Sequence, residues 1–142
     1  MLEAAVARLS EAELDRRPAD GGWTPREVVH HLADSEMTSA IRLRRLLAED
    51  APVIQGYDEV EFARRLHYQG RPIGPSLSAV RAARETTASI LEQLGEAEWS
   101  RAGTHTESGP YSVGDWLHIY AAHCHDHVDQ IRRALTEVQA GA

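Results

Sequence analysis

The stretch "WTPREVVHHLADSE" begins a helix, and it does so by three signals at once. Thr24 is a good N-cap, Pro25 suits the first helical position, and Glu27 completes a capping box. Val28, Leu32, Ala33, Ala40, Ile41 and Leu47 then recur near the 3.6-residue period, so the helix is expected to run to about Ala48. The same period recurs in three other places. Leu2, Val6, Leu9 and Leu14 mark a helix over about 2–15, closed by "RPADGG". Leu77, Val80, Ala83, Thr87, Ile90, Leu91 and Leu94 mark one from near Ser76 to about Leu94. Val113, Leu117, Tyr120, Cys124, Val128, Ile131 and Leu135 mark the last, with Ser112 as N-cap and Asp115 at the third position, ending near Val138. "YDEVEFARRLHYQ" reads as a short extra helix in the connection after Ala48, which is long enough to cross a bundle. "GEAEWSRAGTHTESGPY" reads as irregular, and no segment alternates long enough to be a strand. The expectation is an all-α four-helix bundle, with up-down-up-down order not assured.

At 142 residues, a single domain over 1–142 is expected, large enough to bury a core unaided. The formal net charge of -7 argues against a nucleic-acid partner. All basic residues are Arg, from which no mechanism follows. No apolar run approaches a membrane span, and the N-terminus lacks the pattern of a signal peptide. One cysteine, Cys124, forms no internal disulfide, and a cytoplasmic location is expected.

Eight histidines are the chemical anomaly. In "AAHCHDHVDQI" each helical residue turns by about 100°, so His123 and His127 share a face and His125 points away. Two buried imidazoles without partners are costly, and a metal would satisfy both. A third ligand has to come from another helix. His31 lies beside Val28 and Leu32 on the apolar side, whereas His30 lies nearer Arg26 and Asp34. Three histidines leave a coordination position open, the pattern of a catalytic metal. Imidazole suits Zn, Ni, Fe and Cu alike. His67 and His105 are expected at the surface, His118 structural or exposed, and His125 in solvent. Cys124, Trp23, Trp99 and Trp116 are expected as core residues.

"GGWTPREVVHHLADSEMTSAIRLRRLLAEDAPVIQGYDEVEFA" and "YAAHCHDHVDQI" together resemble the DinB/YfiT-like family, in its bacillithiol-transferase-like branch. The resemblance implies a metal-dependent hydrolase or transferase on a four-helix bundle. It implies three ligands, His31 from "HHLADS" and His123 and His127 from the second motif, and Zn or Ni as the usual metal. It also implies a homodimer. Its characterised members suggest joining a low-molecular-weight thiol, bacillithiol- or mycothiol-like, to a small electrophile. A hydrolytic version would activate water at the same site, and a non-catalytic metal-binding stress protein is the rival of another class. No catalytic residue beyond the metal centre is expected. Asp34, Ser35, Glu36, Asp126 and Gln130 are candidates to support the ligands from outside. Tyr57, Arg42 and Arg45 are candidates for lining the pocket mouth or binding an anionic thiol, with ordinary surface roles as the alternative. Glu36, Asp126 and Gln130 stand where the branch usually has further histidines, and the chain begins late relative to it. These departures bear on thiol and substrate preference.

Overall fold

The computed structural model describes residues 1–136. It is a helical bundle of α1 (Leu2–Val6) with α2 (Glu11–Leu14), α3 (Pro25–Ala48), α5 (Ile73–Leu91) and α7 (Val113–Thr136). The short extra helix is α4 (Glu59–Arg65), and a second short one is α6 (Glu96–Trp99). The expected end near Val138 lies outside the described residues.

The capping signals are realised as hydrogen bonds. Glu27 N donates to Thr24 Oγ1 at 3.2 Å, and Thr24 N donates to Glu27 Oε2 at 2.8 Å. Asp115 and Ser112 make the same reciprocal pair at the head of α7. A cap also explains a correction. The helix expected over 2–15 is broken, because Ser10 and Glu13 form a capping box that starts α2 afresh. Conversely, α5 begins at Ile73, ahead of Ser76. Pro75 in the first turn removes a donor that has no intrahelical partner there.

α3 and α5 are parallel: His30 meets Ser76 and Arg44 meets Thr87. α3 and α7 are antiparallel, since Ser39 meets Trp116 and His31 lies beside His127. A parallel pair joined in sequence needs a crossover, and residues 49–72 supply it, carrying α4 and a 3-10 turn at Tyr68–Gly70. α3 is therefore the central helix, and every residue from Pro25 to Ala33 is buried. Its buried Arg26 is matched by Asp15 at 2.6 Å and by Glu11, and its buried Glu27 by Arg17 at 2.9 Å.

The expectation of no strand is also corrected. β1 (Val53–Ile54), β2 (Ala102–His105) and β3 (Gly109–Ser112) form a small sheet in that order. β1 and β2 are parallel, with Val53 opposite Thr104. β2 and β3 form a hairpin from Ala102–Ser112 to His105–Gly109. Strands this short show no alternation, and Gly and Pro inside them mask the signal. Gly103 is required by proximity: a Cβ there would lie 2.2 Å from the Pro52 carbonyl oxygen. The sheet ties the start of the crossover to the segment leading into α7.

Two apolar clusters make the core. One gathers Leu2, Val6, Leu14, Val28, Leu32, Val80, Cys124, Val128 and Ile131. The other gathers Leu43, Leu46, Ile54, Tyr111, Val113, Trp116 and Tyr120. Along α3, the buried Ser35, Glu36 and Ser39 lie between them.

Candidate metal centre

The antiparallel pairing of α3 and α7 brings His31, His123 and His127 together. One ring nitrogen from each lies within 4.8 Å of the others. Ring centroids are 5.4 Å apart for His31–His123, 4.7 Å for His31–His127 and 4.6 Å for His123–His127. No other His, Cys, Asp or Glu among the described residues joins this group.

The adjacent histidines on α3 show what distinguishes a ligand candidate from a structural imidazole. Both are buried. His30 Nδ1 lies 2.7 Å from Ser76 Oγ, and its Nε2–H donates to the Arg71 carbonyl at 3.1 Å. It pins α3 to α5 and to the crossover. Neither nitrogen of His31 has a hydrogen-bond partner, although the residue is only 1% exposed. An unsatisfied buried imidazole costs roughly 1–3 kcal/mol, and a metal ion is a partner that this arrangement fits.

Burial, then the neighbouring His127 and His123, pushes the His31 pKa down to about 3. Burial, then His127 and Arg84, takes His123 down to about 4. Both rings are neutral at physiological pH, which is the state that ligates metals. His127 Nδ1–H donates to Gln130 Oε1 at 2.8 Å, leaving the Nε2 lone pair directed at His123, 3.2 Å away.

The other expected outer groups are placed differently. Gln130 is brought to the cluster. Ser35 lines the cavity beside His123. Asp34 accepts a hydrogen bond from Tyr68 Oη, and Glu36 pairs with Arg84 at 2.6 Å. Asp126 is exposed and acts on His123 only through its charge. Arg45 binds Glu49 and the Val53 carbonyl and is not among the residues lining the cavity. His67, His118 and His125 are exposed, as expected, and Cys124 and Trp116 are in the core. His105, expected at the surface, is buried: the hairpin stacks it 5.4 Å from Tyr111 and turns it toward the cavity.

That cavity, about 270 Å³, is lined by Ser35, Arg42, Tyr57, Glu59, Tyr120 and His123, among others. A smaller groove at Trp116 and Leu91, about 210 Å³, has no histidine in its lining. Glu59 and Trp23 were not picked out as site residues from sequence. Glu59 is the first residue of α4 and is exposed; desolvation by the groups around the cavity raises its pKa, against the opposing fields of His127 and Arg42. Its only sequence signal is its place in "YDEVE", which does not reveal that the crossover covers the site. Trp23 packs 4.6 Å from His31, immediately before the α3 cap, so its role as a core anchor extends to covering the ligand candidate.

Comparison with known proteins gives a consistent picture. A protein of Oceanobacillus iheyensis named as a candidate metal-dependent hydrolase is 40% identical over 131 residues, covering 92% of this chain and 76% of that protein. YfiT of Bacillus subtilis, named in the same way, is 32% identical over 92% of this chain and 74% of its own. A solved structure of YfiT is described as a probable metal-dependent hydrolase with an unusual four-helix bundle topology. It superposes with a TM-score of 0.91 at 30% identity, covering 97% of this chain and 79% of that one. The sequence profile of the DinB superfamily matches residues 1–131, and with these relatives it shows that this chain belongs to the DinB superfamily, beside the YfiT-like proteins.

Proposed function

We propose that this chain is a metal-dependent enzyme that joins a low-molecular-weight thiol, bacillithiol- or mycothiol-like, to small electrophiles. His31, His123 and His127 hold one divalent ion, Zn or Ni. The observation that carries the reading is the buried His31, orphaned at both nitrogens and facing two further imidazoles, with no fourth His, Cys, Asp or Glu in the group among the described residues. A structural site would be closed by a fourth protein ligand. Such an ion, when bound, favours the thiolate of a thiol placed against it.

The chain's own groups do the rest. Gln130 orients His127 through its Nδ1 proton, and Trp23 covers His31. Glu59 stands at the cavity, where its carboxylate takes the thiol proton. The sulfur–carbon bond then forms as the bond to the leaving group breaks, and the departing group keeps that electron pair and takes the proton from Glu59, which returns to its carboxylate. The same residues would serve hydrolysis of an activated bond, the second reading, which the names of the relatives favour. A cytoplasmic location and a homodimer belong to this proposal as well. Among the described residues no helix is long and apolar enough to cross a membrane.

The test is paired. Metal content is measured by mass spectrometry on untagged protein. The loaded protein is then offered a panel of low-molecular-weight thiols with a chromogenic alkylating agent, beside an activated ester without thiol. Thiol-dependent conjugation that disappears in His127→Ala supports the first reading. Ester cleavage without thiol moves the assignment to hydrolysis. Loaded protein inert in both would leave a metal-binding bundle without catalysis.

A further inference from the structure

The cavity beside His123 contains a guanidinium, that of Arg42, with which none of its carboxylates forms an ion pair. Arg42 on α3 donates from Nη1 to Tyr120 Oη at 2.9 Å and from Nη2 to the Gln55 carbonyl at 2.6 Å. Both acceptors are neutral. Its Nε is buried without a partner, and its guanidinium lies 5.8 Å from the Tyr57 ring centroid. Among the described residues no carboxylate comes within ion-pair distance of it, whereas Arg17, Arg26, Arg45, Arg84 and Arg101 each have one. Around it stand the phenols of Tyr57, Tyr111 and Tyr120. Tyr57 Oη and Tyr111 Oη are buried without a well-formed hydrogen bond. Burial pushes the Tyr57 and Tyr111 pKa values up to about 12 and raises that of Tyr120, so all three remain O–H donors. Tyr120 Oη already accepts from Arg42, which leaves its own proton free to be donated.

An unpaired, partly buried guanidinium ringed by hydroxyl donors is a site lacking an acceptor. We infer that Arg42, with the hydroxyls of Tyr57 and Tyr120, forms a subsite for a carboxylate of the small molecule that reacts at the three-histidine centre. The inference rests on the proposed function only for which molecule carries the carboxylate; binding at Arg42 needs no metal and no reaction. Glu59 and Glu107 face the same cavity. They oppose a second negative charge, so they restrict the ligand to one anionic group near Arg42 and favour hydroxyl or amine donors on its far side.

The experiment uses the full chain labelled with nitrogen-15, as purified and as His127→Ala, titrated with acetate at constant ionic strength. The readout is the Arg42 Nε–H resonance, assigned by its disappearance in Arg42→Lys. A saturable shift is expected in both proteins, since His127→Ala removes the proposed ion but leaves the subsite. Arg42→Lys, which keeps the charge but loses the planar fork, should weaken acetate binding about tenfold, read from backbone amides of residues near Tyr57. Tyr57→Phe removes one donor and should weaken it too, and Glu59→Gln should tighten it. Circular dichroism establishes that each variant is folded. Should Arg42→Lys disturb the fold, Tyr57→Phe and Glu59→Gln still decide the matter. No saturable shift at Arg42, or affinity unchanged in both Tyr57→Phe and Glu59→Gln, overturns the subsite. Binding that vanishes in His127→Ala overturns it as well, because acetate would then be reading the metal. A wild-type protein that shifts at Arg42 but takes up no Zn or Ni on titration would sink the metal reading and leave the subsite standing.

Discussion

At the scale of the residue, the difference between neighbours matters more than the count of histidines. His30 and His31 are adjacent, equally buried, and opposite in state: one has both nitrogens engaged, the other neither. The helical spacing of His123 and His127 was enough to select that pair and to put His125 in solvent, because a 100° turn per residue leaves no alternative. His127→Ala is expected to abolish metal binding, from about one ion per chain, whereas His125→Ala retains it; mass spectrometry of the purified proteins measures both. Equal metal content in the two variants would contradict the assignment. Glu59 was less legible, since its place beside the site depends on a crossover that no local pattern describes, whereas Arg42 and Tyr57, candidates for the pocket from sequence, do line the cavity. The burial of His105 was missed for a related reason. Its neighbours in sequence are polar, and only the pairing of Gly103 with Tyr111 across the hairpin draws it inward.

At the scale of the element, the long helices could be read because caps and periodicity agree, and the sheet could not because its strands are shorter than the period that announces them. Both features have measurable consequences. Glu27 closes the α3 capping box and also accepts from Arg17 at 2.9 Å and Gln69 at 3.0 Å. Burial alone would raise its pKa, but the Thr24 amide, Arg17 and Gln69 together hold it below 4.5. A depressed carboxylate contributes stability above its ordinary value, and that contribution is lost as pH falls through the folded-state value. Glu27→Gln should therefore cost about 1–2 kcal/mol near neutrality and lose less stability on acidification than the wild type does. Urea denaturation at a series of pH values checks this, and parallel pH profiles for the two proteins would refute it. The sheet hangs on a close approach instead. Gly103→Ala drives a methyl group into the Pro52 carbonyl. It should cost about 1–3 kcal/mol in thermal or urea denaturation, with the β1–β2 pairing lost. It should also loosen Arg42, whose Nη2 is held by the Gln55 carbonyl just after β1.

At the scale of the molecule, the crossover decides where the chemistry sits. Because α3 and α5 are parallel, residues 49–72 have to traverse the bundle, and in doing so they lay Tyr57 and Glu59 beside His123. The polarity of the helices was open in the sequence, since nothing in a Pro- and Gly-punctuated connection states which end of the bundle it returns to. The three candidate ligands come from α3 and α7, elements far apart in the chain, so an ion would cross-link two antiparallel helices and close a long loop. An unfolded chain does not hold these imidazoles together, and binding to the folded state then adds stability by mass action. At a hundredfold excess of free metal over its dissociation constant, that gain is about 2.7 kcal/mol. Zn or Ni should raise the urea midpoint of the wild type and of His125→Ala, and a chelator should reverse the rise. His31→Ala and His127→Ala should show no rise. This comparison separates the metal effect from any loss of packing, because each variant is measured against itself with and without the ion. An equal rise in His31→Ala would mean that the ion bridges no helices, and α3 would lose its part in the centre.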